Sequence, residues 1–276
     1  MPIELPPSIC FRVTRYCNAR CGFCLAPPDG VKTTASALTH RLDWLLAHGV
    51  KSIHFCGGEP TLHPALPQLL RHVAAQGGKV ELTTNAIALP DALLPALRAT
   101  GCQVKVSLHG DRAHHDGIVG RQAFDPTTHN LRRLVAAGIA ASIQTTLVAD
   151  GAWVVDWMTG FCLEVGVRRL SFLPFIPRGS GYERRGAYGL SPSQRRALHE
   201  QVSRQRRALN GRLEVRWLDF TARPVHVVEP DGRILLEGAS EARDVVLGYI
   251  PAGVLACEIS AETPPALPTP PTKQAG

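Results

Sequence analysis

The stretch Ser8–Cys24, SICFRVTRYCNARCGFC, decides how the chain is read. Ser8–Thr14 has the composition of a strand. Directly behind it stand Cys17, Cys21 and Cys24 in C-x3-C-x2-C spacing. Three thiolates on one short loop, with no fourth Cys or His beside them, suit a metal centre that keeps one ligand position open. A structural zinc site normally takes four protein ligands. A cubane [4Fe–4S] cluster held by three cysteines leaves one iron free for an outside ligand. Gly22 relieves crowding in the loop. The competing reading is three clustered structural thiols.

Working outward, strand-like and helix-like segments alternate. Thr33–His48 has helical periodicity, with Gly49 where a C-cap belongs. Lys51–Cys56, Lys79–Thr84, Gln103–His109, Ala141–Val148 and Arg169–Phe175 read as strands. Ala65–Ala75, Asp91–Thr100, Thr127–Ala137 and Trp153–Val165 read as the helices between them, the last two closed by Gly138 and Gly166. Repeated strand–helix pairs predict a parallel sheet of right-handed βαβ units. Periodicity alone leaves two architectures open, a doubly wound sheet and an incomplete (β/α) barrel. In both, functional residues gather at the C-terminal ends of the strands. After Phe175 the texture changes. Pro177–Leu190 reads as a loop, Pro192–Leu209 as a helix with Ser191 as N-cap, and Leu213–Leu218 as a further strand. Pro224–Val228 and Arg233–Leu236 form a hairpin around Pro230-Asp231-Gly232. The last segment is proline-rich and reads as disordered.

The second strand runs into Cys56-Gly57-Gly58-Glu59-Pro60. Two glycines at a strand end permit close backbone approach by a ligand, and a carboxylate there can receive an ammonium. The same tetrapeptide can also be an ordinary turn.

Cys17-x3-Cys21-x2-Cys24 after strand one, with Gly57-Gly58-Glu59-Pro60 after strand two, resembles the radical S-adenosylmethionine (SAM) superfamily. The resemblance runs from Ser8 to about Phe175. It implies an α/β fold, a partial (β/α)6 TIM-like barrel over residues 1–176. A short C-terminal α+β extension of loop, helix and hairpin would span 177–259, ahead of a tail over 260–276. It also implies a [4Fe–4S] cluster on Cys17, Cys21 and Cys24, whose free iron chelates the amino and carboxylate groups of SAM. One-electron reduction, by a donor such as flavodoxin or ferredoxin, would then yield methionine and a 5′-deoxyadenosyl radical that takes a substrate hydrogen. The cofactors do the hard chemistry while the protein orients and excludes water.

Residue by residue, Gly57, Gly58, Glu59 and Pro60 match the segment that meets the SAM amino group. Phe23 matches the aromatic near adenine, and Ser107, in Val106-Ser107-Leu108-His109-Gly110, the strand-four serine that contacts SAM. Thr84-Asn85 matches the Thr-Asn common after strand three, with Asn85 counted among the cofactor contacts. Gln144 resembles a strand-five polar residue aimed at the ribose, and Leu173 the strand-six position whose backbone reads adenine. Each has an ordinary turn or core residue as its alternative. The family's carboxylate-binding Arg has Val119 in its place here, and Arg121, two residues on, is the candidate substitute. Cys257 is a candidate hydrogen-atom donor, as a lone cysteine is in radical epimerases, against the plainer reading of an inert thiol.

Composition bounds the rest. At 276 residues with 45% apolar and 19% charged residues, the chain can bury a sizeable core. No cationic and apolar leader is visible and no apolar run spans a bilayer, which predicts a cytoplasmic protein off the membrane. Eight cysteines without a secretion signal do not read as a disulfide framework. Net charge is +7, carried mostly by arginine. Arg178, Arg184 and Arg185, behind strand six, could hold a phosphate or carboxylate at the barrel mouth, or form a solvated loop. The arginines of the Pro192–Leu209 helix spread around it without an aromatic platform, which argues against nucleic acid. Beyond Cys162 the sequence holds only Cys257, too few for the auxiliary clusters usual in peptide-modifying relatives. These points predict a single-cluster biosynthetic enzyme on a small, anionic molecule such as a nucleotide, sugar or natural-product intermediate. The Cys-Asn-x-x-Cys-Gly-Phe-Cys form resembles viperin-like nucleotide enzymes, and Ser-Leu-His-Gly resembles members near the molybdenum-cofactor GTP cyclase. Alternatives are action on peptide or RNA, or an iron–sulfur sensor without catalysis.

Overall fold

The computed structural model describes residues 4–30, 33–221 and 224–251. Its strands are β1 (Ser8–Arg12), β2 (Ser52–Cys56), β3 (Lys79–Thr84), β4 (Gln103–Ser107), β5 (Ala141–Leu147), β6 (Arg169–Pro174), β7 (Glu214–Trp217), β8 (Val225–Val228), β9 (Arg233–Glu237) and β10 (Val245–Tyr249). They form one sheet in the order β10-β9-β8-β1-β2-β3-β4-β5-β6-β7. Pairing is parallel from β8 through β7, and β8, β9 and β10 are antiparallel. The sheet is not closed: β7 and β10 are its two edges. The chain therefore folds as an α/β partial (β/α)6 barrel, lengthened at both ends by strands from its C-terminal part.

The crossover helices are α1 (Ala35–Ala47), α2 (Leu66–Ala75), α3 (Leu94–Ala99), α4 (Arg112–Val119), α5 (Phe124–Ala136) and α6 (Ala152–Val165). Local chemistry starts and stops them. Thr34 Oγ1 accepts from the Ala37 N–H (3.3 Å) at the start of α1, and left-handed Gly166 ends α6. One set of alternate strand residues, Ile9, Phe11, Ile53, Phe55, Leu82, Val104, Val106, Ile143 and Phe172, is buried in the main apolar core. The other set is polar and half-buried: Cys10, His54, Glu81, Lys105, Ser107 and Gln144. A filled barrel would carry branched apolar layers there. This polar inner face leaves room for a ligand instead.

The structure also differs from the sequence reading. α4 was not expected; Asp111 caps it, its carboxylate accepting from the His114 N–H (2.9 Å), and left-handed Gly120 ends it. The expected loop 177–190 holds two single-turn helices, α7 (Ser180–Glu183) and α8 (Arg185–Tyr188), ahead of α9 (Pro192–Ala208). The expected hairpin forms as β8–β9, but a third strand, β10, follows, and β8 adds in parallel to β1. Cys257 and the tail 260–276 lie outside the described residues. Among those described, no helix is long and apolar enough to cross a membrane.

A buried ion network ties the C-terminal strands to the barrel. Arg12 pairs with Glu229 and with Glu237 (2.9 Å), while Arg178 pairs with Asp244 (2.6 Å) and Glu237 (3.0 Å). Arg178, read from sequence as a possible ligand contact, is thus spent inside the protein. Arg178→Ala removes the ion-pair partner of Asp244 and leaves Glu237 with Arg12 alone, and is expected to destabilise the fold by about 3 kcal/mol. Arg178→Lys recovers only part, because an ammonium cannot reproduce the fork. Urea unfolding followed by circular dichroism measures both, and an unchanged midpoint for the alanine variant contradicts the assignment.

Candidate functional site

The cysteine loop leaves the C-terminal end of β1 without regular secondary structure of its own, and neighbours hold it on several sides. Beyond β1 and β2 the pairing continues through loop backbone: the Gly58 N–H donates to the Thr14 carbonyl and the Glu59 N–H to the Tyr16 carbonyl, both at 2.8 Å. Only glycine allows this approach. A Cβ on Gly57, which has φ +144°, would lie 2.3 Å from the Thr14 oxygen, and one on Gly58 2.2 Å from the Tyr16 oxygen. The first partner of the two glycines is therefore the entry to the cysteine loop. At the loop's centre, the Arg20 and Gly22 N–H groups donate to the Val119 and Ile118 carbonyls at the end of α4, each at 3.0 Å. At its far side the Ser180 N–H donates to the Cys24 carbonyl (3.0 Å), and a Cβ on left-handed Gly179 would sit 2.3 Å from that oxygen.

Glu59 is buried and touches ligand space from below. Its Oε1 accepts from the Thr61 N–H (3.1 Å), Thr61 Oγ1 (2.7 Å) and Thr84 Oγ1 (2.5 Å), and its Oε2 from the Asn85 N–H (2.7 Å). Burial lifts its pKa above the ordinary carboxylate value, and these donors pull it back. The Asn85 side chain donates to Asn18 Oδ1 (2.8 Å) and, at 3.8 Å, to the Cys17 sulfur, which also accepts from the Ala19 N–H (3.4 Å). Thr61 and the Asn85–Cys17 link were not visible in the sequence. Their signal was the polar residue just past each strand end.

These elements enclose a cavity of about 530 Å³ at the C-terminal ends of the strands. Cys17, Cys21, Cys24, Phe23, Gly57, Gly58, Glu59, Asn85, Ser107, Gln144 and Leu173 all line it. Pro60 is buried beside it and is not in the wall. Arg121 is exposed and donates to the Asn18 carbonyl, outside the wall, so its placement does not deliver it to a SAM carboxylate. His109, Thr146, Arg20 and Arg184 also line the cavity and were not proposed from sequence as cofactor contacts. The alternation Ser107, His109 on one strand end was the signal for the histidine.

A family model described as the Radical SAM superfamily matches residues 11–151. GTP 3′,8-cyclase of Chlorobaculum tepidum is 36% identical over 50% of this chain and 44% of its own. PqqA peptide cyclase of Xanthomonas euvesicatoria pv. vesicatoria is 30% identical over 81% of this chain and 63% of its own. The chain thus spans about half to two thirds of the length of these curated relatives. The structure of Streptococcus suis SuiB bound to its precursor peptide SuiA superposes with a TM-score of 0.72 at 17% identity, covering 83% of this chain and 58% of that one.

The walls fit the family's cofactors. Burial pushes the Cys17 thiol up to about 11 and Cys21 to about 12, and raises Cys24; each sulfur then ionises only against a cation. Among the described residues no three His, Cys, Asp or Glu side chains form a group that could hold a single metal ion. Three cysteines line one cavity, the number that a [4Fe–4S] cluster with one open iron takes. Ser107 and Gln144 have no side-chain partner within the described protein and are free to meet a polar ligand such as SAM. If the glycine approach fixes the loop, Gly58→Ala costs about 1–3 kcal/mol of overpacking and is expected to lose most of the iron and sulfide bound on anaerobic reconstitution. Retention of the parent's iron content contradicts this. With residues 11–151 matching its family model and a cavity that fits its cofactors, the chain belongs to the radical SAM superfamily, whose enzymes work with a [4Fe–4S] cluster and S-adenosylmethionine.

Proposed function

We propose that this radical SAM enzyme acts on a small anionic molecule admitted past Arg20 and Arg184, with Cys17, Cys21 and Cys24 holding the cluster. The observation that carries the reading is the state of those two arginines. Both line the cavity, both are exposed, and neither has a side-chain partner among the described residues. Arg20 comes from the cysteine loop and Arg184 from the end of α7, where Glu183 also lines the cavity, and either fork suits a phosphate or carboxylate.

Bound cofactors supply a 5′-deoxyadenosyl radical that abstracts hydrogen from the substrate, and a one-electron donor of the flavodoxin or ferredoxin kind completes the scheme. The chain's own residues do the rest. Gly57 and Gly58 fix the cysteine loop and present backbone to the cavity. Glu59 braces the ends of β2 and β3, with Oε2 holding a single donor and so able to accept an ammonium. Ser107, Gln144, Phe23 and Leu173 form the wall for the nucleoside, and burial of the floor excludes water from the reacting atoms. Cys257 stays a candidate hydrogen donor; Cys257→Ala with unchanged product removes it.

A second reading, action on a peptide, draws support from the PqqA peptide cyclase likeness over 81% of this chain. In that case one side chain enters the cavity and the backbone stays outside.

The test is anaerobic: reconstitute, reduce with dithionite, add SAM and quantify 5′-deoxyadenosine with panels of phosphorylated metabolites, carboxylates and peptides. Cys21→Ala is expected to abolish formation. Arg20→Ala and Arg184→Ala should each raise KM for an anionic substrate about 3- to 10-fold with little change in kcat, a solvent-screened charge-assisted contact. Stimulation by peptides alone, with KM indifferent to both arginines, overturns the small-molecule reading in favour of the peptide one.

A further inference from the structure

The N-terminal ends of β6 and β7 lie at the opposite end of the sheet from the cavity, and a second cleft of about 700 Å³ opens there. Arg168, Arg206, Arg212 and Arg216 line it, all exposed, against one carboxylate, Glu214. Glu214 is already shared. One oxygen accepts from Arg216 Nε (2.6 Å) and the other from Arg169 Nε (2.7 Å). The other three arginines of the cleft are left over. Arg206 donates to Ser203 Oγ (3.4 Å) alone, and the side chains of Arg168 and Arg212 have no hydrogen bond or ion pair among the described residues.

β7 is also an open edge of the sheet among the described residues. The Glu214 and Leu218 N–H groups donate inward to the Arg168 and Phe172 carbonyls, at 2.8 and 2.9 Å. Successive residues of a strand turn their backbone polar groups to opposite sides. Val215 and Trp217 therefore turn theirs outward, where no described strand receives them. An edge of this kind is a template for another strand.

Charge decides which strand. A second copy paired edge to edge would set arginine against arginine, so self-pairing is opposed. Nucleic acid would use the charge and leave the edge unpaired. An extended segment with acidic side chains meets both features at once: main-chain hydrogen bonds at Val215 and Trp217, and carboxylates against the unpaired guanidiniums. We propose that the β7 edge and the arginine cleft beside it form a docking site for an extended acidic protein segment, which adds to the sheet as a further strand. The site is separate from the cavity and holds whichever molecule the enzyme transforms.

The probe is a short fluorescein-labelled peptide alternating glutamate and valine, titrated with reconstituted protein and followed by fluorescence anisotropy at low salt. Saturable binding is expected, weakened by added salt and about 3- to 10-fold weaker in each of Arg206→Glu and Arg212→Glu. Both variants should keep the parent's iron content and unfolding midpoint, since the altered side chains are exposed. A peptide alternating lysine and valine should not bind. The fully N-methylated glutamate–valine peptide keeps every charge and has no N–H to donate, and should bind at least about tenfold more weakly. Hydrogen exchange locates the contact: the peptide should slow the Val215 and Trp217 amides and leave those of Glu214 and Leu218, already paired with β6, as they are. Equal affinity for the methylated peptide reduces the site to a charged patch and overturns the proposal. So does the absence of saturable binding, affinity indifferent to both arginines, unchanged exchange at Val215 and Trp217, or preference for a short oligouridine over the peptide.

Discussion

Everything at the site depends on one close approach of backbone to backbone, where Gly58 and Glu59 donate to the Thr14 and Tyr16 carbonyls at 2.8 Å. Parallel strands normally stop pairing where their loops diverge. Here the ladder runs past both strand ends, because two residues without side chains let the chains stay at sheet distance. The price is conformational freedom, which glycine loses more of than any other residue. The gain is that the cysteine loop starts from a fixed point. A motif that reads in sequence as a ligand cradle thus holds protein on one side before it can hold a ligand on the other.

The same logic extends around the loop. A segment with no ladder of its own must place its polar backbone somewhere, and here it uses the end of α4 and the turn at the start of α7, while Asn85 holds the Asn18 and Cys17 side chains. Glu59 joins this frame to β3 by collecting four donors on a buried carboxylate. Three thiols raised by burial are poor ligands in water-like surroundings, and good ones only where geometry is already set and a cation replaces the protons. Fixing the loop from several sides keeps the three thiols around one cavity, so that little backbone has to reorganise when a cluster binds.

The strands β1–β6 and the helices between them, α4 excepted, were legible because apolar residues recur at the period of each element, and Gly49, Gly138 and Gly166 punctuate them. Their pairing into an open partial barrel followed from the resemblance, since periodicity alone left the doubly wound sheet open. What stayed hidden depends on distant partners. β10, Val245–Tyr249, is a short edge strand whose ladder exists only through β9. The parallel addition of β8 to β1 joins residues more than 200 positions apart. Arg178 looks like its neighbours in sequence, and only the arrival of Glu237 and Asp244 from the extension commits it. Arg121 shows the reverse: a plausible spacing, but a carbonyl of the cysteine loop claims the guanidinium first. His109 was hidden because a single histidine after a strand most often completes a core.

The arginines divide by burial into two tasks, and the division follows from charge. Arg12, Arg15 and Arg178 face Glu229, Glu237 and Asp244, three cations against three anions. Such a network contributes little net field. Its value is positional, since removing either sign leaves a buried charge uncompensated. Glu237 also lies close enough to the cluster loop to oppose ionisation of Cys24, while Arg12 and Arg15 favour it, so the extension shares the electrostatic surroundings of the third cysteine. Arg20 and Arg184 make no ion pair among the described residues, although Glu183 lines the cavity beside Arg184. Their charge is exposed to solvent and salt, too screened to hold the fold together, and available to whatever anion enters the cavity. A stability role therefore belongs to the buried set and a recognition role to the rim, and exchanging the two would cost the protein both.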